Sequence, residues 1–130
     1  MFTLQQINEA HSKVQSGADF PKYMHDIILL GVTSFETFVF DNHTNYYGND
    51  TYQITSTGLP ETRSIANESN INQLKTDLKA HQQGKTDYMT FLIDCAKSGV
   101  EKWIVDMNKM TCTYYDVQGQ AVLVEIIPTI

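Results

Sequence analysis

Asp41, Asn42 and His43 bring a carboxylate, a carboxamide and an imidazole together in three consecutive residues. A carboxylate beside a histidine can orient a general base or complete a metal shell. Glu36 and Tyr46 fall on the flanking segments and complete the candidate catalytic set of His43, Asp41, Glu36 and Tyr46. The competing reading is purely local: Asp-Asn in a turn bonds its own backbone, and His43 stands exposed. The two readings differ in geometry. A site requires these groups to converge on a concavity, whereas a turn requires only that Asp41 reach a nearby backbone N–H.

No strong catalytic signature lies elsewhere. Cys-x-x-Cys, His-Glu-x-x-His, Gly-x-Ser-x-Gly and the phosphate-loop glycine pattern are all absent, so neither a metal nor a cofactor is expected. His11 and His81 fall near apolar helical stripes, where a core or boundary role accounts for them, and His25 falls on an outer helix face. Cys95 and Cys112 sit in apolar surroundings on different expected elements and read as small core residues, not as a disulfide or metal pair.

Fifteen acidic and nine basic residues leave a net charge of -6, which repels phosphate backbones and argues against a nucleic-acid partner. The 130 residues, 42% hydrophobic and 18% charged, suit a single domain with its own core. The longest apolar runs, 27–30 and 121–124, fall far below the roughly 20 residues of a membrane span, so no membrane partner is expected. The opening Met-Phe-Thr-Leu-Gln-Gln lacks the basic and apolar regions of a secretory signal, and a cytoplasmic location is expected.

These residues must be positioned by elements that the periodicity makes legible. Thr3 and Gln6 form a capping box ahead of a stripe of Leu4, Ile7, Ala10, His11 and Val14, with Gly17 as the expected stop. A second helix follows, with Pro21 in its first turn and Tyr23, Met24, Ile27 and Leu30 inward, ending at Gly31. From Val32 to Phe40 the period becomes two, with Phe35, Thr37 and Val39 on one face, and shorter strands follow at 45–47 and 51–56. Asn70, with Gln73 as a reciprocal partner, caps a third helix, and Thr86 or Asp87 caps a fourth that ends at Gly99. Strands are expected at 100–107, 111–115 and 121–127, with Pro128 closing the last. The strand at 121–127 is apolar on both faces and is expected inside the sheet or paired with a second copy in a homodimer.

The order of elements repeats. Asp19 to Gly48 aligns with Asp87 to Asp116 at an offset of 68 residues, with six identities among thirty pairs: Asp19 with Asp87, Asp26 with Asp94, Gly31 with Gly99, Val32 with Val100, Tyr46 with Tyr114 and Tyr47 with Tyr115. Aromatic character is kept at Phe20 with Tyr88, Tyr23 with Phe91 and Phe35 with Trp103. The chain therefore divides into pseudo-repeat halves 1–56 and 70–130 with a linker at 57–69, which is too short to separate domains. Asp26 and Asp94, near the negative ends of their helices, suggest a hydrogen bond to the next element shared by both halves. Asp41-Asn42-His43-Thr44 breaks the repeat, since its counterpart is Lys109-Met110-Thr111-Cys112.

The stretches His11 to Pro21, Lys79 to Tyr88, Cys95 to Trp103 and Lys109 to Asp116 resemble a family of short, uncharacterised proteins of enteric bacteria and their prophages often labelled "phage envelope protein". The resemblance covers essentially the whole chain. It implies a prophage context and carries no catalytic residues. The expected fold is α+β, with two ααβββ halves whose antiparallel strands form one or two sheets covered on one side by four helices. The expected function is non-catalytic binding of a host or phage protein. The alternative is a small-molecule or metal-dependent enzyme built on the Asp41/His43 loop.

Overall fold

The computed structural model describes residues 1–15 and 17–127. Helices α1 (Leu4–His11) and α2 (Phe20–Leu30) precede strands β1 (Ser34–Phe38), β2 (Thr44–Tyr47) and β3 (Gln53–Thr55). Helices α3 (Ile71–Gln82) and α4 (Tyr88–Lys97) then precede β4 (Lys102–Asp106), β5 (Thr111–Tyr115) and β6 (Ala121–Ile126). The strands form one antiparallel sheet in the order β3-β2-β1-β4-β5-β6. The fold is α+β and shows the ααβββ pattern twice.

Local chemistry sets most of the boundaries. The Thr3–Gln6 capping box forms in full, with Gln6 N–H donating to Thr3 Oγ1 at 3.2 Å and Thr3 N–H to Gln6 Oε1 at 2.9 Å. α1 ends earlier than its stripe implies. Lys13 and Val14 N–H groups bond back three residues to Ala10 and His11, tightening the chain out of the helix before Gly17. Asn70 caps α3, but Gln73 does not reciprocate; its amide reaches forward to Asp77 Oδ1 at 2.8 Å. Asp87, rather than Thr86, caps α4 by accepting from Thr90 N–H at 2.8 Å. Asp26 and Asp94 do not share a partner: Asp26 pairs with Lys22 one turn back at 3.0 Å, while Asp94 faces Asp77 of α3. Pro128, the expected stop of the last strand, lies outside the described residues.

Both helix-to-strand corners have the same construction. Gly31 (φ 108°) and Gly99 (φ 82°) are left-handed. Val32 N–H reaches Ile27 O while Gly31 N–H reaches Ile28 O, and Val100 and Gly99 repeat this to Cys95 and Ala96. This paired closure of the last carbonyls requires a residue that tolerates positive φ. The strand registers repeat as well. Ser34 to Thr37 pair with Tyr47 to Thr44, and Lys102 to Val105 pair in the same phase with Tyr115 to Cys112. The two halves meet along β1 and β4, where Phe38 faces Lys102 and Ser34 faces Asp106.

Every strand in the centre of the sheet alternates between buried and half-buried residues. The buried face, with Phe35, Thr37, Tyr46, Trp103, Val105 and Tyr114, lies under the helices. α1 packs on α2 and α3 on α4, with the turn Gly17–Asp19 touching α3. The expectation that 121–127 is interior to the sheet is not met: among the described residues β6 pairs only with β5 and forms an edge.

Candidate functional site

The Asp41–His43 loop is the β1–β2 hairpin turn. Asn42, at φ 64°, donates its N–H to Phe38 O at 2.8 Å, and Phe38 N–H donates to His43 O at 3.0 Å. Asp41 Oδ1 accepts the backbone N–H of His43 at 3.0 Å and lies 2.5 Å from His43 Nδ1. Because a carboxylate only accepts, Nδ1 carries the proton. Partial burial raises the Asp41 carboxyl, but the hydrogen bonds from His43 outweigh it and hold the group below its ordinary value. Gly58 of the linker lies against this carboxylate, where a Cβ would collide with it. The His43 ring stacks on Phe38, 4.4 Å between centroids and 7° from parallel. The backbone turn and the carboxylate–imidazole pair are thus both present.

Glu36 lies on the same outer face of the sheet. Its carboxylate accepts from Lys102 Nζ at 2.9 Å, Asn45 Nδ2 at 3.3 Å and the Tyr47 hydroxyl at 3.5 Å. Burial alone would raise Glu36; the bonds from Lys102 and Asn45 bring it below its ordinary value. Lys102 also lies 5.6 Å from the ring centres of Phe38 and Tyr115. Asp41–His43, Phe38, Lys102 and Glu36 therefore form a row across the open face. Tyr46 does not join them: it points to the buried face, on the far side of the sheet. The four sequence candidates do not converge. Among the described residues, no group of three or more His, Cys, Asp or Glu side chains could hold a metal ion.

The concavity lies on the other face. Between the two helical pairs and the sheet is a cavity of about 630 Å³, within the usual range for small-molecule sites. Its lining includes four aromatic pairs that occupy equivalent places in the two halves: Phe20 with Tyr88, Tyr23 with Phe91, Phe35 with Trp103 and Tyr46 with Tyr114. The rings engage one another at angles that range from tilted to edge-on. Phe35 and Tyr46 lie 5.7 Å apart, Trp103 and Tyr114 6.1 Å, and Tyr88 and Trp103 6.4 Å. Asn42, the middle residue of the hairpin turn, reaches inward and accepts from the Tyr88 hydroxyl at 2.6 Å.

A few polar groups punctuate this lining. Thr37 and Thr44 hydroxyls bond each other at 2.9 Å in the floor. Burial pushes the Tyr23 and Tyr46 phenols up, so both are neutral donors. His81 stacks on Phe91 at 4.4 Å, and His11 lies edge-on to Tyr23 at 5.2 Å. Loss of water lowers both imidazoles below 6.5, leaving them neutral at pH 7. Glu125, from β6, accepts from Gln82 Nε2 at 3.2 Å and is raised by burial. The Cys112 thiol, pushed up to about 12 by burial, is no nucleophile. Neither cysteine forms a disulfide. The lining positions on helices and strands are aromatic in both halves at once, a pattern present in the sequence that reads there as ordinary core packing.

Fold and cavity together define a sheet-and-helix protein with an aromatic-lined cavity between its helices and its sheet. The model of DUF1398, a family described as a protein of unknown function, matches residues 8–126, and the chain belongs to that family. It is also similar to an uncharacterized protein of Mycobacterium bovis and two of Mycobacterium tuberculosis, each 29% identical over 76 residues. Those alignments cover 57% of this chain and 46% of each relative, so the matched part spans about half the length of these curated relatives.

Proposed function

We propose that this is a non-catalytic binding protein whose ligand is a small, ring-bearing molecule held between the helical pairs and the sheet. The observation that carries the reading is the chamber of about 630 Å³ with aromatic side chains at four equivalent positions of both halves. Apolar faces supply affinity, while Thr37, Asn42 and the phenols supply orientation. The resemblance to prophage proteins supports a role between phage and host, and two unbridged, buried cysteines are consistent with a reducing, cytoplasmic setting. A protein partner is compatible with this reading, and the apolar edge strand β6 favours a second copy of the chain.

The experiment is titration with N-phenyl-1-naphthylamine, a neutral aromatic probe, followed by its own fluorescence and by quenching of Trp103, the only tryptophan. Saturable binding that Val14→Trp abolishes at an unchanged urea midpoint supports the reading, because Val14 lines the chamber without being fully buried. Absence of saturable binding to the wild-type chain overturns it.

The alternative, an enzyme using Asp41 and His43, draws on one observation: the carboxylate fixes the tautomer of the imidazole. Its weakness is equally geometric, since the cavity opens on the opposite face of the sheet from His43.

A further inference from the structure

We propose that the chamber selects a hydrophobic organic cation, an aryl or alkyl ammonium or phosphonium, which the aromatic faces surround and Glu125 balances in charge. This rests on the chamber being a ligand site, and it adds the sign of the ligand's charge. Among the described residues the lining contains no lysine or arginine; its ionisable groups there are two imidazoles, the carboxylates Asp87 and Glu125, and groups that are neutral at pH 7. Ring faces carry negative quadrupole density, and a cation over several such faces is attracted without any further counter-ion. An anion of the same shape meets the same rings with repulsion and finds no cationic side chain in the lining to offset it.

Glu125 is where it is because of a specific backbone feature. In the first half Tyr47 faces Gln53 and Tyr46 faces Ile54, and the equivalent pairing would set Val122 and Val124 inward on β6. A bulge between Tyr114 and Tyr115 shifts the register by one, so that Cys112 faces Glu125 and Thr113 faces Val124. A one-residue shift inverts every side chain beyond it. The strand thus turns the Glu125 carboxylate towards the chamber, while Val124 and Ile126 are 58% and 83% exposed.

The two carboxylates are not equivalent. Asp87 is engaged as the cap of α4. Glu125 receives only the neutral amide of Gln82 from α3, with Cys112 and Tyr114 of β5 as its other neighbours, and no basic side chain pairs with it among the described residues. A half-buried carboxylate without a cationic partner is costly, and a ligand cation at that point removes the cost.

The test compares tetraphenylphosphonium with tetraphenylborate, which share size and shape and differ in the sign of charge, alongside the neutral N-phenyl-1-naphthylamine. The expected result is that the phosphonium binds at least tenfold more tightly than the borate. Glu125→Gln should remove most of that preference, read as the ratio of phosphonium to borate affinity on the same sample. Gln82→Lys provides a second variant at an exposed position: it places an ammonium beside Glu125 and should weaken the phosphonium at least tenfold even if Glu125→Gln proves unstable. If the neutral probe binds but the phosphonium shows no advantage over the borate, or if Gln82→Lys leaves the advantage intact, the charge assignment is wrong and the binding reading stands. If none of the three probes binds, both fail.

Discussion

Glu36 and Ile104 face each other across the β1–β4 junction, and they are also the same position in the two halves. A residue on a two-fold axis meets its own counterpart, so this pair locates the pseudo-dyad of the sheet. Two identical side chains here would be a self-contact, and the chain instead sets a carboxylate opposite an isoleucine. Ile104→Glu should therefore be unfavourable, placing two carboxylates directly opposite each other, and should lower stability by up to about 1 kcal/mol. Urea denaturation at low and high salt checks this: the loss should shrink as salt rises. A salt-independent change would mean that lost packing, not charge, is responsible.

The two helix-ending glycines should not tolerate alanine equally. At Gly31 an added Cβ would be 3.7 Å from the Phe2 ring, so the cost is mainly that of the left-handed backbone, roughly 1–2 kcal/mol. At Gly99 the same Cβ would meet Glu68 O at 2.5 Å and Ser69 Cα at 2.8 Å, backbone atoms of the linker that cannot simply rotate away. Gly99→Ala is expected to cost clearly more than Gly31→Ala, by thermal or urea denaturation. Equal losses would show that the linker yields.

The Glu36–Lys102 pair should shape the pH dependence of stability. Glu36 is depressed below its ordinary 4.5, so its contribution is complete above that value and is lost as pH falls through the folded value. Lys102 is raised above 10.5, chiefly by its bond to Glu36, so its contribution is complete below 10.5 and is lost as pH rises through the folded value. Between these limits the pair contributes a plateau. Glu36→Gln should cost about 1–2 kcal/mol at pH 7 and flatten part of the acid limb of a stability–pH curve. An acid limb identical to wild type would remove Glu36 as a contributor.

Much of the scaffold was legible because it rests on local signals. Alternation along β1 and β4 gave their inner faces, and Gly31 and Gly99 announced the two corners. Tyr46 was misplaced for a reason the strand period contains: three residues from His43, it falls on the other face, while Glu36 falls on the same one. The inward turn of Asn42 was not legible, because its positive φ redirects the side chain against the alternation. Nor was the chamber, since Phe35, Trp103 and their partners read as ordinary core residues until the spacing of the two helical pairs is known. The inward placement of Glu125 depends on a bulge that no residue type announces.

Asp41 and His43 can be separated from the chamber by substitution. His43→Ala removes a stacked ring and one hydrogen bond, and a loss of about 1 kcal/mol is expected, with aromatic-probe binding unchanged because the pair faces away from the cavity. Asp41→Ala should cost more, since the carboxylate closes the turn through two bonds. Its folded value is depressed, so the part it contributes is lost as pH falls through that value. The checks are urea midpoints and probe titrations on the same samples. Lost ligand or metal binding in His43→Ala at an unchanged midpoint would move the functional site to the outer face.

Strand β6 raises a last question, of what covers an apolar edge. Natural edge strands are blunted by lysine, proline or bulges. Here the bulge sits at the Tyr114/Tyr115 end, and the one charged side chain of the strand, Glu125, turns towards the chamber. Beyond the bulge, unpaired backbone groups run beside outward-facing Val124 and Ile126. Two such edges pairing antiparallel would extend the sheet from one copy into the next and lay these side chains together about a two-fold axis. The chain is therefore expected to dimerise as its concentration rises. Light scattering after gel filtration should show the shift in mass, and Val124→Lys with Ile126→Lys should abolish it without lowering the melting temperature, because both positions are exposed. A wild-type chain that stays monomeric throughout the concentration range would rule out self-pairing through this edge.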